Sequence, residues 1–321
     1  MKILTGLVMA SVLSLSPHTL ASGVRVPTLH TLLASLSTSS AKVSASLASA
    51  VSARAESIVD LDTAPEDRFI RVGPLNRRIL VPKHHCRADA KHDVVLHFHG
   101  VPTSVEPSVE RSGLDAVVVI VNWGIGSGAY EDYFQGQGAF TNMLGWVDRS
   151  VDRACGLTTA GTRRVALSAW SAGYGAIFRI LLHPEDRARV DALLMSDGMH
   201  VGYVRPGHVN PASMQVYADF AHQAVNGEKL FAITHSAIEP GRYASTRETA
   251  EYLAAHEQVS LQPMNEQGPR PKMWLTSRAD QGDFHVRGFS GTQPGDHAQH
   301  LHALGDMMFP LLRDHWARAQ Q

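Results

Sequence analysis

The sequence predicts an α/β protein built on a doubly wound, mostly parallel sheet with helices on both faces. Three observations carry this. From about Ile58 short β-branched runs alternate with helix-length segments, the signature of strand-helix-strand units. The later runs are continuously apolar, as strands covered on both faces must be. Finally, 321 residues with 44% hydrophobic and 18% charged side chains supply one large core and exclude a disordered polymer.

The segment MKILTGLVMASVLSLSPHTLASG joins Lys2 to an apolar run from Ile3 to Leu15 and a small-residue exit at Thr19-Leu20-Ala21. That is the pattern of a cleavable secretory signal over residues 1–21, with the chain expected to be secreted or periplasmic and to keep no stable membrane span. Residues 22–57, rich in Ser, Ala and Leu, read as a spacer without chemistry. Residues 58–321 form the expected α/β domain.

Within that domain strands are expected at Phe69-Val72, Arg78-Val81, Val94-His99, Val117-Asn122, Arg164-Ser168, Ala192-Ser196, Leu230-Thr234 and Lys272-Thr276. Helices are expected at Gly138-Ala154, Ala172-Leu182, Met214-Asn226, Ser245-Ala255 and Ala298-Ala319. The stretch from Gly198 to Gln215 lacks periodicity and holds Pro206, Gly207 and Pro211, so it reads as a small lid. Asn122-Trp123-Gly124 and Tyr130 to Phe134 follow a strand end, where they either line a cleft or pack as ordinary aromatics. The two cysteines, Cys86 and Cys155, either pair outside the cytoplasm or stay as buried thiols. A formal net charge of -1 supplies no field for gathering phosphates, which disfavours nucleic acid as a partner.

The most informative stretch is Arg164-Val165-Ala166-Leu167-Ser168-Ala169-Trp170-Ser171-Ala172-Gly173, an apolar strand running directly into a helix start. A serine on so tight a bend needs small neighbours two positions away on each side, and Ala169 and Gly173 stand there. The following helix turns its first N–H groups and positive dipole end toward Ser171. The plain alternative is a helix-capping serine. A second strand ends in His97-Phe98-His99-Gly100-Val101-Pro102.

Small-x-Ser-x-Gly together with His-x-His-Gly resembles the α/β-hydrolase superfamily, whose usual G-x-S-x-G is altered here by Ala169. Roughly Phe69 to Gln321 falls within the resemblance. It implies a doubly wound sheet of the α/β-hydrolase type and a carboxylic ester hydrolase with Ser171 as nucleophile. The oxyanion donors would be the amides of Gly100 or Val101 and of Ala172. The chain order Ser, acid, His then directs attention to the loop before the last helix. His297 fits best in Gly295-Asp296-His297-Ala298-Gln299-His300-Leu301-His302, with His300 as the rival. For the acid, Asp197 follows the strand after Ser171; Glu239, Asp280 and Asp283 compete.

The resemblance requires no cofactor, and the partner it implies is a small-molecule or polymer ester. With eighteen histidines a metal-assisted hydrolase stays open, using His97 with His99 or His297 with His300 and His302. So does a non-catalytic binding protein on the same fold. Neither the acyl group nor the oligomeric state is encoded in spacing.

Overall fold

The computed structural model describes residues 68–88, 91–158 and 160–319. The expected signal segment 1–21 and spacer 22–57 lie outside the described residues. The strands are β1 (Phe69–Val72), β2 (Arg77–Pro82), β3 (Lys91–Phe98), β4 (Val117–Val121), β5 (Gly161–Trp170), β6 (Val190–Ser196), β7 (Tyr203–Arg205), β8 (His208–Val209), β9 (Leu230–His235), β10 (Gln262–Gln267), β11 (Trp274–Gln281) and β12 (Phe284–Phe289). The helices are α1 (Pro102–Ser112), α2 (Gly128–Phe134), α3 (Ala139–Cys155), α4 (Tyr174–Leu182), α5 (Pro184–Arg189), α6 (Pro211–Val225), α7 (Thr246–His256), α8 (Pro294–His302) and α9 (Leu304–Arg318).

Ten strands form one sheet in the order β1-β2-β4-β3-β5-β6-β9-β12-β11-β10. From β4 through β3, β5, β6 and β9 to β12 every pairing is parallel, while antiparallel strands extend both ends. Alternation along each central strand fills two cores. Val94, Leu96 and Phe98 of β3 meet Met143 and Val147 of α3 and Ile177 and Ile180 of α4. Val95, on the opposite face, shares its core with Val105 of α1 and Leu304, Met308 and Trp316. Both faces are therefore dry, which is why these strands read as unbroken apolar runs.

Two expectations are corrected. The run 272–276 enters β11, an antiparallel strand, and the parallel strand beyond β9 is β12, whose alternating burial of FHVRGF hides it from an apolar-run search. The long helix expected at 298–319 is two helices broken at Ala303. After the break Gly305 abuts α1 so closely that a Cβ there would stand 2.2 Å from the Ser108 carbonyl. The aperiodic 198–215 stretch holds the β7-β8 hairpin and the start of α6, which Asn210 caps through the Ala212 N–H. Cys86 and Cys155 form a disulfide that ties the turn after β2 to the end of α3. Among the described residues no helix is long and apolar enough to cross a membrane.

Candidate active site

Three neighbouring strands, β3, β5 and β6, end in residues with left-handed backbone: His99 (φ 73°), Ser171 (φ 49°) and Asp197 (φ 45°). Such a conformation costs a non-glycine residue about 1 kcal/mol or more and persists only where the surroundings impose it. Here the register imposes it. Phe98 lies beside Ala169 and Ala169 beside Met195, so the three chains leave the sheet side by side and must turn at once.

The small neighbours of Ser171 are steric necessities. A Cβ on Gly173 would stand 2.1 Å from the Phe98 carbonyl oxygen. Gly198, directly after Asp197, is just as constrained, since a Cβ there would meet the Ser171 nitrogen at 2.4 Å. The backbones carrying Ser171 and Asp197 are thus in van der Waals contact.

Asp197 binds in two directions. Its Oδ1 accepts the Ser236 N–H at 2.8 Å, and its Oδ2 lies 2.7 Å from Nδ1 of His297. Burial pushes the carboxyl up, but the His297 hydrogen bond, the imidazoles of His300 and His297 and the Ser236 amide together outweigh it and hold Asp197 well below the usual carboxylate range. It is a buried anion whose partner is an imidazole.

His297 is held on its other side by Trp170, the residue before Ser171. The indole N–H donates to the His297 carbonyl at 3.0 Å, and the two rings stack with centroids 4.7 Å apart. His99 also stacks on the indole, with ring centroids 5.0 Å apart. The helix begins at Pro294, so His297 stands in its first turn, not in the loop before it. Among the described residues the Ser171 hydroxyl closes no hydrogen bond to His297. Trp170, the residue before Ser171, stacks on His297, and Gly198, the residue after the His297 partner Asp197, packs against the Ser171 backbone.

Gly100 (φ 128°) and Val101 lead from β3 into α1, where Val101 is the residue before the first turn. Among the described residues the Val101 N–H meets no protein acceptor. Ala172 lies in the helical turn after Ser171, where first-turn N–H groups lack intrahelical partners.

The rival residues sit elsewhere. Glu239 is exposed and pairs with Arg247. Asp280 is held by His285, Arg278 and Arg287 on β11 and β12, and Asp283 by His315 and Arg318. His300 is buried 2.9 Å from the Thr234 hydroxyl, and burial pushes its pKa down to about 4.

His97 is no metal ligand as it stands. Its Nε2 faces the His99 carbonyl at 3.0 Å and must carry the proton, which leaves Nδ1 to accept from the Ser168 hydroxyl at 2.8 Å. Burial lowers its pKa to about 3, so it is a neutral core residue. His99 Nδ1 meets the Tyr130 hydroxyl at 3.0 Å, and that hydroxyl also takes the Trp123 N–H at 3.1 Å. Tyr130 is therefore a buried brace. The roles of Trp170 and Ser236 escaped the sequence reading, and a bulky aromatic directly before the serine turn is the signal that could have exposed the first; of the two readings left open for Tyr130, packing is the one its buried bonds to His99 and Trp123 favour.

A cavity of about 260 Å³ is walled by Tyr174, Phe178, Val201 and Tyr243, with Glu131, His200 and Ser213 adding polar groups. Tyr174 and His200 each follow a site residue, Ser171 and Asp197, by three positions. A second cavity, of about 300 Å³ and lined by Ile233, Phe289, Met308 and Leu311, holds none of the candidate catalytic residues.

No family model and no curated protein matches the chain. Comparison with solved structures finds an enterochelin esterase from Shigella flexneri at 13% identity and TM-score 0.44, covering 82% of this chain and 61% of that one. A poly(3-hydroxybutyrate) depolymerase from Bordetella parapertussis gives 14% and 0.40 over 79% and 92%, and an arylesterase 14% and 0.37 over 81% and 87%. The chain thus spans less than two thirds of the enterochelin esterase. At these values the likeness bears on no particular residue. The strand order, the parallel centre, helices on both faces and a serine turn after β5 make the fold one of the α/β-hydrolase type.

Proposed function

We propose that the chain is a serine hydrolase that cleaves carboxylic esters through an acyl-enzyme. Ser171 Oγ attacks the ester carbonyl carbon as its proton passes to Nε2 of His297. The oxyanion is received by the N–H groups of Val101, or Gly100, and Ala172. Collapse breaks the bond to the alcohol, which leaves with the proton from His297, and water then releases the acid by the same steps in reverse order. Asp197 holds the Nδ1–H tautomer that leaves Nε2 free to act as base.

The observation that carries this reading is the 2.7 Å Asp197–His297 contact, placed beside the strained Ser171 turn by the Trp170 clamp. The disulfide supports an oxidising compartment, in line with export. The test is labelling of the full chain with a fluorophosphonate and hydrolysis of short-chain p-nitrophenyl esters. Both are expected to be lost in Ser171→Ala. Turnover that survives the probe and this substitution but not a chelator would overturn the serine mechanism.

A further inference from the structure

On the turn after β2, among residues with no part in the candidate active site, two imidazoles converge on one carboxylate oxygen. Nε2 of His84 and Nε2 of His85 each lie 2.8 Å from Oδ1 of Asp115, and the three candidate ligand atoms fall within 4.8 Å of one another. Ligands of a tetrahedral cation at 2.0–2.1 Å sit about 3.3 Å apart, so opening the two contacts by about 0.5 Å would admit one.

The supporting shell is built in. His85 Nδ1 faces His92 Nδ1 at 3.2 Å, and the two rings are nearly parallel with centroids 5.1 Å apart. A metal-bound histidine characteristically donates from its second ring nitrogen to a fixed acceptor, and His92 Nδ1 is placed as that acceptor. His92 itself is buried, and its Nε2 has no hydrogen-bond partner. The backbone is equally fixed: Cys86 of the disulfide follows His85, and Asp115 lies between Leu114 and Ala116, both fully buried. Yet the side chains of His84 and Asp115 are 61% and 63% exposed, open to solvent and to ions, while that of His85 is only 11% exposed.

The geometry points to a site for a divalent cation of the zinc class, held by His84, His85 and Asp115 with solvent completing the shell. Two imidazole nitrogens and one oxygen suit zinc, nickel or copper and not calcium or magnesium, which take oxygen sets. Arg87 and Lys91 line the adjoining cavity and oppose the added charge, so the site is weaker than a closed structural zinc site. Bound there, the ion would join the end of β2 to the start of β4, a stabilising role separate from ester cleavage.

The test is calorimetric titration of ZnCl2 into chelator-stripped full-length protein, with thermal melts in parallel. One ion per chain is expected in the wild type and in Ser171→Ala and His297→Ala, together with a raised melting midpoint. His84→Ala and Asp115→Asn, both at exposed side chains, should each weaken binding by at least the roughly tenfold that loss of a ligand's supporting hydrogen bond alone costs, and should remove the zinc-induced rise. Absence of zinc binding, affinity unchanged in both variants, or equal binding of CaCl2 would overturn the assignment. None of these readouts depends on esterase activity, so the proposal can fail while the serine mechanism stands.

Discussion

Replacing Asp197 by Asn tests the site more sharply than removing the serine, because the structure dictates which way the new amide must face. Oδ1 of Asp197 accepts the Ser236 N–H at 2.8 Å, so the Asn carbonyl oxygen is drawn to that position and its NH2 is left opposite Nδ1 of His297. An amide donor there forces Nδ1 to accept and moves the imidazole proton to Nε2. The nitrogen meant to take the Ser171 proton then already carries one. The wrong tautomer costs about 10⁴-fold in kcat, or about 5.5 kcal/mol at 1.36 kcal/mol per tenfold. KM should change little, because no substrate contact is removed. The assay is steady-state hydrolysis of p-nitrophenyl acetate, with circular dichroism and a urea titration to verify folding. A folded Asp197→Asn enzyme within about tenfold of wild type would refute the reasoning, as would an equal loss on Glu239→Gln.

Trp170→Ala removes both the stack on His297 and the hydrogen bond to its carbonyl, and should lower kcat about 10- to 100-fold; Trp170→Phe, which keeps only the stack, should fall between it and wild type in the same assay. Gly198→Ala drives a Cβ into the Ser171 backbone, so its urea midpoint should report a loss of about 1–3 kcal/mol together with slowed fluorophosphonate labelling. Burial pushes His315 down, but its bonds to Asp191 and Asp283 prevail and raise its pKa above the ordinary imidazole value. Its contribution to stability is therefore complete below about pH 6.5 and is lost as pH rises through the folded pKa. Wild type should lose more denaturant stability than His315→Gln between about pH 6 and pH 9. Reducing Cys86–Cys155, which closes a separation of 69 residues, should cost about 4 kcal/mol, read as a lower unfolding midpoint in dithiothreitol.

The sheet's centre was legible because its strands are buried on both faces, and burial on both faces leaves a run of Val, Ile and Leu that no loop imitates. Ser171 was legible for a steric reason, since Ala169 and Gly173 mark a bend with no room for larger groups. The rest depends on neighbours distant in sequence. His297 and His300 stand on one side of the same helix, and what separates them is their partners on distant strands, Asp197 for His297 and the Thr234 hydroxyl for His300. α1 was missed because Pro107 lies inside it and Glu106 and Glu110 interrupt its apolar positions; its stability comes from packing on α9, which sequence spacing does not display. Trp170 looks like an ordinary aromatic until His99 and His297 are both seen stacked against its ring.

The left-handed turns at His99, Ser171 and Asp197 set the working end of the sheet against the chain's own conformational preferences. Glycine at any of the three would relieve that backbone tension, but it would also remove the Ser171 hydroxyl, the Asp197 carboxylate that binds Ser236 and His297, or the His99 ring that stacks on Trp170. On the proposed reading, a screen for ester turnover should therefore retain all three side chains despite what their backbone conformation costs.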